Sequence, residues 1–194
     1  MPPERSPLAE VFAALDATFR DLGLRWYLFG AQAALLYGAA RLTADVDVTL
    51  DAGDLGCVPL LRALGDGGFA PRVADAEAFA TRTRVLPLVH TASAIPVDVV
   101  LAGPGLEPVF LARAEIHEAE GIRIPVARAE DIVTMKLLAG RPKDVDDTIA
   151  MLAALGDGLD LRLVRETLAM LEDALAQSDL LPRLDDALAR ARGG

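Results

Sequence analysis

The chain has 194 residues, 53% hydrophobic and 25% charged, which is the length of one domain or of one domain with a helical appendage and leaves ample apolar material for a core. Its net charge of −10 argues against broad binding to phosphate backbones, which draws on many Lys and Arg contacts, although a local basic groove stays compatible with it. A single cysteine, Cys57, excludes an internal disulfide and a cysteine cluster for zinc, and two distant histidines, His90 and His117, leave little for a histidine metal site or triad.

Residues 7–22 place Leu8, Val11, Phe12, Leu15 and Phe19 at helical spacing, and Gly23 ends that helix. "RWYLFG" reads as a short strand running into Gly30, and "AQAALLYGAA" as the helix after it. Residues 44–50 alternate as a strand. The segment "GDLGCVPLLRALGDGGF" predicts a helix interrupted near Pro59 and closed by glycines. Two strands are expected at 82–91 and 94–101, joined tightly at Ala92-Ser93, and a hairpin at 115–126 with Gly121 in its turn. From Glu130 onward the pattern is helical throughout. The expected division is therefore a core over residues 1–128 and a C-terminal helical region over 129–194 packed on it. No apolar run reaches the ~20 residues of a spanning helix, and "MPPERSPLAE" lacks the apolar stretch of a signal peptide, so the expectation is a soluble cytoplasmic protein with no membrane partner.

Chemistry concentrates in three places. In "RLTADVDVTL", residues 41–50, Val46, Val48 and Leu50 alternate with Asp45, Asp47 and Thr49, which puts two carboxylates side by side on one strand face. They are either solvent-facing acids of an edge strand or a pair that shares a cation, since like charges on one face repel. Asp98 is the one charged residue between Arg84 and Glu107, within an equally apolar strand. It is either a buried acid neutralised by an arginine such as Arg41 or Arg84, or a third ligand that makes an oxygen-rich Mg²⁺ site with Asp45 and Asp47. Three such carboxylates suit two-metal phosphoryl or nucleotidyl transfer, in which two ions clamp the attacking and leaving oxygens. A triphosphate also needs a seat, and "LFGA" at 28–31 offers a strand, a glycine and a helix start, unless Gly30 merely makes a turn. Lastly, the two lysines of the chain, Lys136 and Lys143, lie in one segment. Lys136 borders the face marked by Ile132, Met135 and Ala139, where it is either a snorkelling surface lysine or a compact charge aimed at a triphosphate.

The strand ending in Gly30-Ala31, the turn "RLTADVD" with Arg41 and Thr43, and the later strand Asp98 resemble the nucleotidyltransferase superfamily of the polymerase-β type. The segment "AEDIVTMKLLAGRPKDVDD" is similar to the Lys-and-Asp motif of AbiEii-type nucleotidyltransferase toxins and their uncharacterised relatives, matching at Lys136, Arg141, Lys143, Asp144 and Asp147. The resemblance implies an α+β fold: a nucleotidyltransferase-like mixed β-sheet with flanking helices, followed by a C-terminal helical region. It implies an enzyme that transfers NMP from an NTP with release of pyrophosphate, using Mg²⁺, two ions, held by Asp45, Asp47 and Asp98, with Lys136 as a further catalytic residue. Gly30, Ala31, Arg41, Thr43, Lys136, Arg141 and Asp144 would bind the nucleotide. The acceptor would be an RNA or tRNA end or a protein hydroxyl, possession of a cognate antitoxin protein would follow for a toxin, and an aminoglycoside-type small-molecule acceptor is the alternative, as is a catalytically weak domain that binds nucleotide or a partner. Where the superfamily carries Gly-Gly or Gly-Ser, this chain has Ala31, which offers phosphate only its backbone N–H.

Overall fold

The computed structural model describes residues 5–40 and 43–193. Helices α1 (Pro7–Asp21), α2 (Gly30–Leu36), α3 (Cys57–Asp66), α4 (Ala76–Thr83) and α5 (Glu107–Arg113) alternate with strands β1 (Arg25–Phe29), β2 (Val46–Asp51), β3 (Phe69–Pro71), β4 (Val85–His90), β5 (Pro96–Leu101), β6 (Glu115–Ala119) and β7 (Ile122–Val126). Four helices follow: α6 (Ala129–Ala139), α7 (Pro142–Leu155), α8 (Leu161–Leu175) and α9 (Leu180–Gly193). The fold is α+β. Its contacts divide into two units, Met1–Gly30 with Thr43–Ala127, and Ala31–Leu42 with Arg128–Gly194.

The first unit is a 7-stranded mixed sheet of order β3-β4-β5-β2-β1-β7-β6 with flanking helices. Strand β2 runs parallel to β5 and β1 parallel to β7, while the other neighbours are antiparallel. One face is built by the alternation read in the sequence: Leu28 lies opposite Val48, Val48 opposite Val99 and Leu86 opposite Val99, all at most 2% exposed. Val11, Leu15 and Phe19 of α1 and Leu60 and Leu64 of α3 complete this apolar core. The β6–β7 hairpin turns at Glu120 (φ +49) and Gly121 (φ +74), and two successive positive φ angles match the right-handed twist of the strands they join.

The second unit is helical. Its centre is α6, which touches α7, α8 and α9 and is buried around most of its circumference. Gly140 ends α6 at φ +61, and a Cβ there would stand 2.2 Å from the guanidinium of Arg183, which donates to the Leu137 carbonyl. Among the described residues no helix is long and apolar enough to cross a membrane.

Several expectations are corrected. Strand β2 begins at Val46, not residue 44, so Asp45 precedes it. Residues 82–84 belong to the end and cap of α4, and β4 and β5 are joined by residues 91–95 rather than a two-residue turn. Helix α3 is not interrupted at Pro59, because this proline lies in the first turn, where a missing N–H breaks no helical hydrogen bond.

Candidate active site

Alternation along β2 and β5 sends Val46 and Val48, and Val97 and Val99, into the core, so Asp47 and Asp98 project from the opposite face. The two strands are parallel, with Asp47 and Asp98 as direct register partners. Both side chains are half-buried. The side-by-side carboxylates are thus one from each strand. Asp45 is exposed ahead of β2, and its amide donates to the Thr43 hydroxyl at 3.3 Å, while Thr49 is buried further along the strand. Arg41 lies outside the described residues.

Gly30 is fitted to Asp47. It leaves β1 at φ +69, and a Cβ built on it would stand 2.1 Å from Asp47 Oδ2. Both the backbone conformation and the close approach therefore call for glycine. A carboxylate abutting a bare backbone at a helix start, with a second carboxylate one strand away, is a pair of hard oxygen donors suited to a divalent cation. Mg²⁺ characteristically takes one or two protein carboxylates and completes its shell with water and phosphate oxygens. Among the described residues no group of three or more His, Cys, Asp or Glu side chains is arranged to hold a metal ion. The chemistry of the donor set fits such an ion at Asp47 and Asp98.

Asp98 is held by Arg72, which sequence reasoning did not single out. Arg72 follows edge strand β3, and its Nη2 donates to Asp98 Oδ1 while its Nε donates to the Leu88 carbonyl at 2.9 Å. Arg84, one of the arginines expected to partner this acid, instead caps α4 in the left-handed conformation and bonds the Leu101 carbonyl and Glu107. The available signal was Asp98 itself, a lone acid in an apolar strand.

In the helical unit the Lys-and-Asp segment forms a compact ionic group. Lys136 is buried, its side chain 6% exposed, with Nζ 2.7 Å from Asp147 and 3.6 Å from Asp144. Asp144 also accepts from Arg141 Nε at 2.5 Å and Nη2 at 3.2 Å. Asp144 and Asp147, three residues apart on α7, are both buried, while Asp146 and Lys143 are exposed. The buried residues of α6 include Ile132, Val133, Thr134, Lys136 and Leu137. Met135 is only half-buried and Ala139 exposed, so Lys136 lies within the buried surface rather than at its border.

Residues 7–181 match a protein family described as nucleotidyltransferase of unknown function (DUF6036). The chain belongs to that family. Among solved structures, it is similar to an antigenic nucleotidyltransferase-like protein from Paracoccidioides brasiliensis, with 18% identity, a TM-score of 0.56 and coverage of 98% of this chain and 95% of that one. It is also similar to ANT(2")-Ia in complex with adenylyl-2"-tobramycin, at 16% identity and a TM-score of 0.56, covering 86% of this chain and 99% of that one. The lincomycin-bound lincosamide antibiotic adenylyltransferase LnuA shares 16% identity and a TM-score of 0.50, covering 74% of this chain and 94% of that one. At these identities the likeness is one of fold. No protein of curated function matches the sequence. The family match and the shared fold agree with the α+β architecture.

Proposed function

We propose that this nucleotidyltransferase moves NMP from an NTP to an acceptor hydroxyl and that Asp47 and Asp98 are the centre of its site. The observation that carries this reading is the in-register Asp47–Asp98 pair, with Gly30 pressed against Asp47 where β1 gives way to α2. Asp47 and Asp98, with Asp45 nearby in sequence, would hold Mg²⁺, which when bound neutralises charge on the triphosphate. Asp98 orients the acceptor hydroxyl and accepts its proton. The new bond joins acceptor oxygen to the α-phosphorus, the bond from that phosphorus to the bridging oxygen breaks, and pyrophosphate leaves. The further nucleotide contacts proposed at Gly30, Ala31, Arg41, Thr43, Lys136, Arg141 and Asp144 rest on the superfamily resemblance. Within the Lys-and-Asp group, the buried Lys136 also fixes Asp144 and Asp147, and the exposed Arg141 is the member better suited to meet an anion.

For the acceptor, the toxin-like resemblance supports an RNA or tRNA end or a protein hydroxyl, with a cognate antitoxin as partner. A second reading, a cationic small molecule of the aminoglycoside kind, is favoured by the net charge of −10, which attracts cations and opposes polyanions. Incubation with each α-labelled NTP and Mg²⁺, separately with total RNA, cell lysate and a panel of aminoglycosides and lincosamides, tests these readings. Label in RNA or protein supports the toxin-like assignment, and label on a small molecule supports the second. Nucleotide binding by calorimetry without pyrophosphate release from any mixture overturns the enzymatic reading in favour of a binding domain.

A further inference from the structure

We propose that Arg72 is the resting counter-cation of Asp98, displaced when a divalent ion binds, so that cation entry at the Asp47–Asp98 pair is an exchange of one positive charge for another. The inference rests on the reading of that pair as a cation site. Two carboxylates in register on adjacent parallel strands repel, and a guanidinium on one of them lowers that repulsion while no metal is bound. Arg72 and an entering divalent ion compete for the same carboxylate, and the ion gains Asp98 Oδ1 as the guanidinium gives it up.

The geometry permits displacement. The Arg72 and Asp98 side chains are 38% and 37% exposed, so separating them strands no charge in a dry interior, and an accessible pair of this kind contributes little to stability. The Arg72 amide donates to the Pro87 carbonyl at 2.8 Å and its Nε to the Leu88 carbonyl at 2.9 Å. Neither bond involves Asp98. The arginine thus stays tethered to β4 while one arm lets go, and it remains beside the carboxylate as a competitor. Its role is positional: it sets how readily Asp98 accepts a cation.

Electron paramagnetic resonance of Mn²⁺ alone, titrated into the whole folded chain without nucleotide, reads this competition. Arg72→Gln is expected to bind Mn²⁺ about two- to fivefold more tightly than the parent chain, the scale set by an exposed ion pair. In the Asp98→Asn background the same substitution should bring less than a twofold gain, because the contact it removes is already gone. Equal or weaker Mn²⁺ binding by folded Arg72→Gln, with binding still reduced by Asp98→Asn, overturns the exchange and leaves the cation site standing. Absence of saturable Mn²⁺ binding in the parent and every variant overturns the cation site and the exchange with it. Should circular dichroism show Arg72→Gln unfolded, Arg72→Lys decides. It keeps the charge but, with one ammonium group, cannot hold the Leu88 carbonyl and Asp98 through separate arms as Arg72 does, so a measurable gain supports the exchange and no gain overturns it.

Discussion

Gly30 meets two demands at one atom. Its φ of +69 is open to few side chains, and a Cβ would fall 2.1 Å from Asp47 Oδ2. Gly30→Ala should therefore lower stability by about 1–3 kcal/mol and push Asp47 out of register with Asp98, measured by chemical denaturation and by loss of nucleotidyl transfer. Retained transfer in that variant would separate Gly30 from the chemistry. Asp47→Asn and Asp98→Asn should both fold. For Asp98→Asn, triphosphate affinity measured by calorimetry should stay within several-fold, while transfer falls on the order of a hundredfold, the effect of removing a positioned base. Unchanged transfer in the folded variant would remove Asp98 from the site. The acids were visible in the sequence because charge is conspicuous in an apolar strand. Their mutual placement was not, since it depends on which strands pair: the partner of Asp47 is 51 residues further along the chain, and the cation on Asp98 comes from the residue just after an edge strand whose register no local pattern reveals.

The elements with strong periodicity, α1 and α6 to α9, were legible in outline, and so was the β6–β7 hairpin. The misses have local causes. Strand β3 has 3 residues, too few for alternation to register. Helix α4 ends on Arg84 in the left-handed conformation, a position usually marked by Gly, so nothing in the letters separates helix from strand there. Helix α5 starts after Leu106, an N-cap residue that makes no side-chain capping bond. Burial of Lys136 was missed because a lysine on a mixed face reads as exposed, whereas two buried acids of the next helix, Asp144 and Asp147, compensate its charge. Lys136→Met removes a buried cation that contacts both Asp144 and Asp147, of which Asp144 keeps Arg141, and should cost about 3–5 kcal/mol in urea denaturation. Parent-like stability would exclude the structural role. At the head of α1, the Ser6 hydroxyl at 2.6 Å and amide at 2.8 Å both donate to Glu120 and hold its carboxyl below the usual range. A depressed folded value means that the stabilisation is present above the unfolded value and is lost as pH falls through the folded one. The stability difference between the parent and Glu120→Gln should accordingly be present at pH 6 and shrink as pH drops below about 4. A difference that is constant across that range would refute the charged hydrogen bonds.

Across the whole molecule, the acidic balance bears on the choice of acceptor. With a net charge of −10, transfer to a polycationic small molecule should have a kcat/KM that falls as salt rises, because screening weakens long-range attraction. Transfer to RNA should show the opposite or no trend, so initial rates across a salt series discriminate the two. The order of the sheet has a different consequence, for synthesis. Strand β1 pairs on one side with β2 but on the other with β7, Leu28 meeting Val126, about a hundred residues later. At ribosomal rates of roughly 5–20 residues per second, the buried strand carrying Trp26, Tyr27 and Leu28 spends of order ten seconds outside the ribosome with one edge unpaired. Nascent chains stalled before residue 122 should thus be the aggregation-prone and chaperone-bound species, and release of chaperone should coincide with emergence of the β6–β7 hairpin that closes that edge.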